Sequence, residues 1–439
     1  MVEMQSKSQA AGPRPVDGQL SVGVLVDLHR GIAAGGHVKC WERLAEAAAG
    51  EDLDLTVYFL GKRAQTETLA DNVRYVLVRP LLGTEMFPFL DLIAAHTDLA
   101  PMHPGVLDAL RRHQVLHATD AYFSLARTAL FVARKDKRPL VNSIHTDTPG
   151  YTRVYSSHVL QRIFGDGRLG RLVREQWRWQ DRLAAGKQRQ LERYIERCDW
   201  TMDAQENDAA TSLPVRERWS VLRRGIDKEF FHPARRNRKR LKEEFGIGED
   251  RLVLLFAGRV DQGKDVMTLA RAARILADRG VPIHAVFAGE GSQQEKIGRL
   301  LGDRASLPGT VTQNELAWLY ASADLFVFPS QIEISPNVVL EAKASGLPAM
   351  VSGIGGSRRM IREPGRDGIV VESADSFVWA EAIEALWNEP ARRATLGAQA
   401  RRSIETEWPS WRDVLREDLL PVWKRVARER GLWGELRVR

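Results

Sequence analysis

Short apolar runs recur along this chain, and most are followed by a loop and then by a longer stretch with apolar residues at helical spacing. Leu20–Asp27 is the first such run, followed by a loop holding Gly31, Gly35 and Gly36 and by a helical pattern from about Val38 to Ala49. Leu53–Leu60, Val73–Val78, Gln114–Ala118 and Pro139–Ile144 continue the series, and Leu252–Ala257, Ile283–Ala288 and Asp324–Pro329 resume it. Runs this apolar belong to strands buried on both faces. Strands interleaved with helices pack as parallel sheets covered by helices. The expectation is an α/β protein. At 439 residues with 44% hydrophobic side chains it has enough material for two cores.

The boundaries follow from the rhythm. Residues 1–19 carry no apolar core and read as a disordered leader, not a signal peptide. A first domain spans 20–220, a second 221–405, and a helical tail 406–439. No apolar stretch reaches the roughly 18–20 residues that cross a bilayer. Two cysteines, Cys40 and Cys198, do not make a disulfide framework, so a reducing cytoplasm is expected. The net charge of +7 and pI of 9.4 favour anionic partners. The basic run from Arg235 to Lys242 has no interleaved aromatics and reads as a solvated helix face, not as a nucleic-acid site.

Arg168–Cys198 departs from the strand–helix rhythm. It places leucines, Trp177 and Tyr194 at helical spacing and holds nine basic against four acidic side chains up to Arg197. Interfacial helices combine these features, so a peripheral site on the inner face of the cytoplasmic membrane is one reading. A helix packed on the first domain's sheet, with its arginines in water, is the other.

Chemistry concentrates in the second domain. In SQIEISPNVVLEAKASGLP, Glu333 lies past a strand end and Glu341 inside a helix that starts near Asn337. Carboxylates accept hydrogen bonds from the hydroxyls of a sugar or a ribose. Read alone, they also suit a loop surface charge and a first-turn acid. In LLFAGRVDQGK, Arg259 and Lys264 follow another strand end, where a guanidinium fork and an ammonium can hold a diphosphate. AGEG (Ala288–Gly291) offers glycines that admit close backbone approach. Asp52-Leu53-Asp54 is the one Asp-x-Asp triplet; it precedes a strand and reads as a surface turn, and no metal site is expected.

RRGIDKEFFHP (Arg223–Pro233), FAGRVDQGK, FAGEG and the glutamate pair resemble, in this order, the nucleotide-binding domain of the GT-B retaining glycosyltransferases of family four, the group 1 type. The first domain is similar more weakly, through GIAAGGH and SIHTDTPGY (Ser143–Tyr151). The resemblance implies two Rossmann-like domains facing across a cleft, with a C-terminal helix returning to the first. It implies metal-independent transfer of a sugar from a nucleotide-diphosphate donor to a lipid or glycan hydroxyl, with no resident cofactor. It assigns Arg259 and Lys264 to the diphosphate, Glu341 to the ribose and Glu333 to the transferred sugar. Gly289, Asn337 and Val338 border the donor, Gly35 and Gly36 offer amides to it, and His145 lines the site near the sugar. Two positions depart from the family. Pro336 stands where glycine is usual and has no N–H to give a ligand, and Asp265 also replaces a glycine. A nucleotide-sugar-binding subunit without turnover and a GT-B epimerase or phosphorylase are the competing readings.

Overall fold

The computed structural model describes residues 18–31, 34–86, 97–150, 152, 156, 179–204 and 216–433. The chain divides into two compact units. The first takes the described residues up to His145, then Ala185–Leu222, and then the chain from Val414 on. The second takes those of 146–184 and Arg223–Asp413. Both are parallel α/β sheets, as the strand–helix alternation requires.

In the first unit, β1 (Leu20–His29), α1 (Gly36–Ala48), β2 (Leu53–Leu60), β3 (Gln65–Ala70), β4 (Val73–Val78), β5 (Val115–Ala118), α2 (Ser124–Lys135) and β6 (Leu140–Ile144) follow in turn. Helix α3 (Trp179–Ile195) runs into the unit, and β7 (Trp200–Asp203) and β8 (Trp219–Val221) complete its sheet. The strand order is β3-β4-β2-β1-β5-β6-β7-β8. Only β3 is antiparallel, paired with β4 as a hairpin. Chain order reverses between β1 and β5, the switch point where ligands enter such sheets. The helix that ends the described chain, Leu420–Glu429, also packs in this unit, with Trp423 fully buried.

Asp54 corrects the reading of Asp52–Asp54 as a surface turn. It lies inside β2, is 1% exposed, and pairs with Arg74 at 2.6 Å. Strand β2 is buried along its whole length, so a carboxylate in it must find a partner. Asp54 also accepts a 2.9 Å bond from the Ser21 hydroxyl. That hydroxyl faces His113 Nδ1 at 3.0 Å, and Tyr58 meets His113 Nε2 at 2.8 Å. The outcome is a polar string through the apolar sheet, from Arg74 to Tyr58.

The second unit runs α4 (Arg238–Phe245), β9 (Leu252–Ala257), α5 (Val266–Asp278), β10 (Ile283–Ala288), α6 (Gln294–Leu301), β11 (Ala305–Gly309), α7 (Gln313–Ser322) and β12 (Leu325–Phe328). Then come α8 (Asn337–Ala344), β13 (Ala349–Ser352), β14 (Ile369–Val371), α9 (Ser376–Asn388) and α10 (Pro390–Glu407). Its sheet, β11-β10-β9-β12-β13-β14, is parallel throughout. The switch point falls between β9 and β12.

One charged segment differs from its expected role, and another is described only in part. Arg238 on α4 is not simply solvated: it pairs with Asp324 at 2.9 Å and donates to the Arg251 carbonyl at 3.0 Å. Arg240 stacks on the Trp318 ring. The first part of Arg168–Cys198, including Trp177, lies outside the described residues. In the described part, Tyr194, Ile195 and Cys198 are buried in the first unit, whereas Trp179 and Leu183 are exposed.

Candidate functional site

The second unit assembles its site from loops at the carboxyl ends of β9, β10 and β12, on either side of the switch point. Strand β9 ends at Ala257, and Gly258 turns the chain at φ 139°. Arg259 follows, and its Nη1 pairs with Asp261 Oδ2 at 2.6 Å. The other oxygen of Asp261 accepts the backbone N–H of Lys264 at 3.2 Å and caps the single 3₁₀ turn Gln262–Lys264. One acid therefore orients the guanidinium and fixes the turn that presents the ammonium.

Lys264 reaches across the switch point to Glu333, in the loop after β12; Nζ and Oε1 form an ion pair. Both side chains are mostly buried, and the pair is therefore less screened than a surface bridge. The Ser330 hydroxyl donates to the same Glu333 oxygen at 3.2 Å. Gln331 ties the two loops again, giving its Nε2–H to Asp265 Oδ2 at 3.2 Å. Asp265 sits at φ 52°, in the left-handed region, which explains in backbone terms why glycine suits that position. Its carboxyl is held above the usual range by burial, against the hydrogen bonds from Thr268 and Gln331.

Gly289 follows β10 at φ 145°, and a Cβ there would collide with the Gly258 carbonyl. The β9 and β10 loops are knit by Gly258 N–H to Ala288 O at 3.0 Å and Val260 N–H to Glu290 O at 2.8 Å. Pro336 is the N-cap residue of α8, with Asn337 and Val338 as its first turn. At that place a missing N–H removes no intrahelical bond. The Asn337 Oδ1 is buried and has no hydrogen-bond partner among the described residues. On the same helix Glu341 Oε2 accepts from the Tyr320 hydroxyl at 3.2 Å.

Arg259, Lys264, Gly289, Glu333, Asn337, Val338 and Glu341 thus share one end of one sheet. Asp261, Ser330, Gln331 and Tyr320 complete the arrangement and were not singled out in the sequence. Gln331 and Tyr320 have their partners on distant segments, and Asp261 and Ser330 have theirs two or three residues away in the same loop, so no apolar periodicity marks any of the four.

The remaining predicted residues belong to the first unit. Gly35 is the N-cap of α1 and Gly36 its first residue; both are exposed, and α1 has no side-chain cap bond. His145 follows β6 and is 8% exposed. Its ring stacks on His37 at 4.4 Å, and its Nε2 meets Ser143 Oγ at 2.8 Å and Trp41 Nε1 at 3.2 Å. Asp27, near the end of β1, accepts the N–H groups of Leu125 and Ala126, at the start of α2, at 2.9 and 2.8 Å. Burial and the neighbouring Asp120 hold its carboxyl well above the usual range. Among the described residues no group of three or more His, Cys, Asp or Glu is placed to hold a metal ion. Nor is any helix among them long and apolar enough to cross a membrane.

Residues 237–403 match the family "Glycosyl transferases group 1". That stretch holds every second-unit site residue described above. The chain carries a group 1 glycosyltransferase domain. The D-inositol 3-phosphate glycosyltransferase of Pseudarthrobacter chlorophenolicus is 34% identical over 203 residues, 44% of this chain and 47% of that one. The chain thus spans about half the length of this relative. The GDP-mannose-dependent alpha-mannosyltransferase of Corynebacterium glutamicum is 27% identical over 76% of this chain and 72% of its own. Solved structures place the group 1 domain in the GT-B fold. Anabaena HepE, crystallised with UDP and glucose, superposes with TM-score 0.62 at 16% identity, over 94% of this chain and 100% of HepE. WaaG, a lipopolysaccharide glycosyltransferase, gives 0.60 at 18% identity, over 93% and 99%.

Proposed function

We propose that this chain transfers a sugar from a nucleotide-diphosphate donor to a hydroxyl acceptor, with retention at the anomeric carbon and without a metal ion. The observation that carries this reading is the set Arg259–Asp261 and Lys264–Glu333 at the switch point of the second sheet. An ammonium has three donors, so Lys264 can keep Glu333 and still bind phosphate oxygens. Arg259 adds a planar fork. As the bond from the anomeric carbon to the diphosphate breaks, negative charge grows on the leaving oxygen, where these cations stabilise it. The acceptor oxygen bonds to the same face of the sugar, and its proton passes to the departing phosphate. Glu341, oriented by Tyr320, takes the ribose hydroxyls.

The acceptor we favour is a membrane lipid or a growing glycan, met at the inner surface of the cytoplasmic membrane. The exposed Trp179 and Leu183 on α3, beside Arg182, support contact with a membrane surface. The decisive experiment is a panel of nucleotide sugars against membrane lipid, soluble glycans and D-inositol 3-phosphate, read by product mass spectrometry with the anomeric configuration assigned. Transfer with retention, unchanged in excess EDTA, is expected. Strict dependence on added Mn²⁺ or Mg²⁺ defeats metal independence. Nucleotide-sugar binding without turnover on any acceptor favours a silent binding subunit, the reading that Pro336 supports.

A further inference from the structure

A line of aromatic and hydroxyl side chains runs through the first unit to His145, and both of its ends are indoles. Trp423, in the terminal helix, places Nε1 2.9 Å from His117 Nδ1. His117 Nε2 lies 2.8 Å from Ser143 Oγ. Ser143 Oγ lies 2.8 Å from His145 Nε2. Trp41, on α1, places its Nε1 3.2 Å from that same His145 nitrogen. Trp41, His117, Ser143 and Trp423 are all fully buried, so water does not supply alternative partners along the line.

We infer that this line locks His145 as the neutral tautomer that carries its proton on Nδ1. An indole N–H is only ever a donor. Trp423 therefore requires a lone pair on His117 Nδ1, which leaves the proton of a neutral His117 on Nε2. That proton goes to Ser143 Oγ, and the serine hydroxyl passes its own to His145 Nε2. Trp41 imposes the same answer from the other end, because its N–H also needs a lone pair on His145 Nε2. An Nε2-protonated or doubly protonated His145 would set two donors against each other at 3.2 Å. Burial pushes the His117 pKa down to about 3, so His117 stays uncharged near neutrality.

The functional consequence rests on the sugar-transfer reading above. Any bond that His145 makes to a sugar through Nδ1 is made as a neutral donor to an oxygen, not as a base. Ser143, His117 and Trp423 are then positioning residues, and the terminal helix sets the chemistry of a side chain remote from it in sequence. No local pattern shows this.

The test is long-range proton–nitrogen correlation on the full-length protein labelled at histidine nitrogen, with signals assigned from His117→Gln and His145→Gln. The expected spectrum has His117 protonated on Nε2 and His145 on Nδ1. A wild-type His145 protonated on Nε2, or on both nitrogens at neutral pH, overturns the inference. Either indole alone fixes the direction, so Trp41→Phe and Trp423→Phe should each keep the tautomer. The double variant should mix the two forms. If the chain is active, the double variant's kcat should fall about tenfold, roughly one misdirected hydrogen bond, with donor Kd unchanged. A folded double variant whose His145 tautomer is unchanged also overturns the inference. Ser143→Thr, which keeps the hydroxyl, should keep His145 protonated on Nδ1, and a switched tautomer in it counts against the lock. Because the wild-type spectrum needs no substrate, an inactive wild type with the expected tautomers defeats sugar transfer and leaves the lock standing.

Discussion

Lys264 and Arg259 hold their charges by different means, and the difference predicts how their variants behave. Lys264 is paired across two loops with Glu333, whereas Arg259 is paired two residues along with Asp261. Both would meet a charge that is larger in the transition state than in the bound donor. Arg259→Ala and Lys264→Ala should therefore lower kcat more than they weaken donor binding; steady-state rates beside calorimetric Kd values check this. Wild-type turnover in both variants would remove them from the mechanism. Glu341→Gln is the sharper probe of the ribose contact, because the amide oxygen can still accept from Tyr320. Donor Kd should rise about tenfold, or ~1.4 kcal/mol, with the melting temperature unchanged.

Helix α8 carries Glu341 and depends on a buried ion pair for its place. Lys343 on that helix is 0% exposed. Its Nζ meets Asp367 Oδ2 at 2.6 Å, the Met360 carbonyl at 2.7 Å and Ser403 of α10 at 3.4 Å. Desolvation offsets much of what such a pair gains, yet breaking one side strands a charge. Lys343→Met should cost about 3–5 kcal/mol in a urea melt, and adding Asp367→Leu should recover much of it. If the double variant is as unstable as the single, the loss comes from packing and not from the stranded carboxylate. In the sequence LEAKASGLP, Lys343 reads as an exposed lysine two residues from a site glutamate. Its partner is 24 residues away, and only the packing of α8 against the 360–367 loop and α10 buries it.

At the scale of the whole molecule, buried histidines oppose folding as the pH falls. Burial pushes His113 down to about 4, while the unfolded chain titrates near ~6.5. Between those values the unfolded state holds the extra proton, so this contribution to stability falls as pH falls through the window. Asp27 and Asp120, raised by burial, act in the opposite direction. The measurement must therefore be a difference. Between pH 6 and pH 5 the wild type should lose about 1 kcal/mol more than His113→Gln; urea melts at the two pH values check it, and equal slopes would refute the assignment.

The fold class could be read from the amino-acid order alone, because strands buried on both faces leave continuous apolar runs that read in the same way wherever they are packed. Leu53–Leu60, Val73–Val78, Leu252–Ala257 and Ile283–Ala288 fall at their expected bounds. The places of Arg259, Lys264, Glu333 and Glu341 were legible because they sit in loops directly after strands or, for Glu341, in the second turn of the helix that follows one, where no first-turn acid is found. The short strands β3, β7, β8, β11, β13 and β14 were not legible. Several are half-polar or edge segments, whose pairing is set by neighbours and not by their own pattern. Strand order, which puts β9 beside β12 and so Lys264 beside Glu333, was also decided only in three dimensions. The same holds for the burial of Asp54 and Lys343 and for the path from Trp423 to His145. Periodicity reports which face of an element is apolar. It carries no record of which polar side chain from a distant strand or helix will be pressed against it, and that contact fixes charge, tautomer and direction.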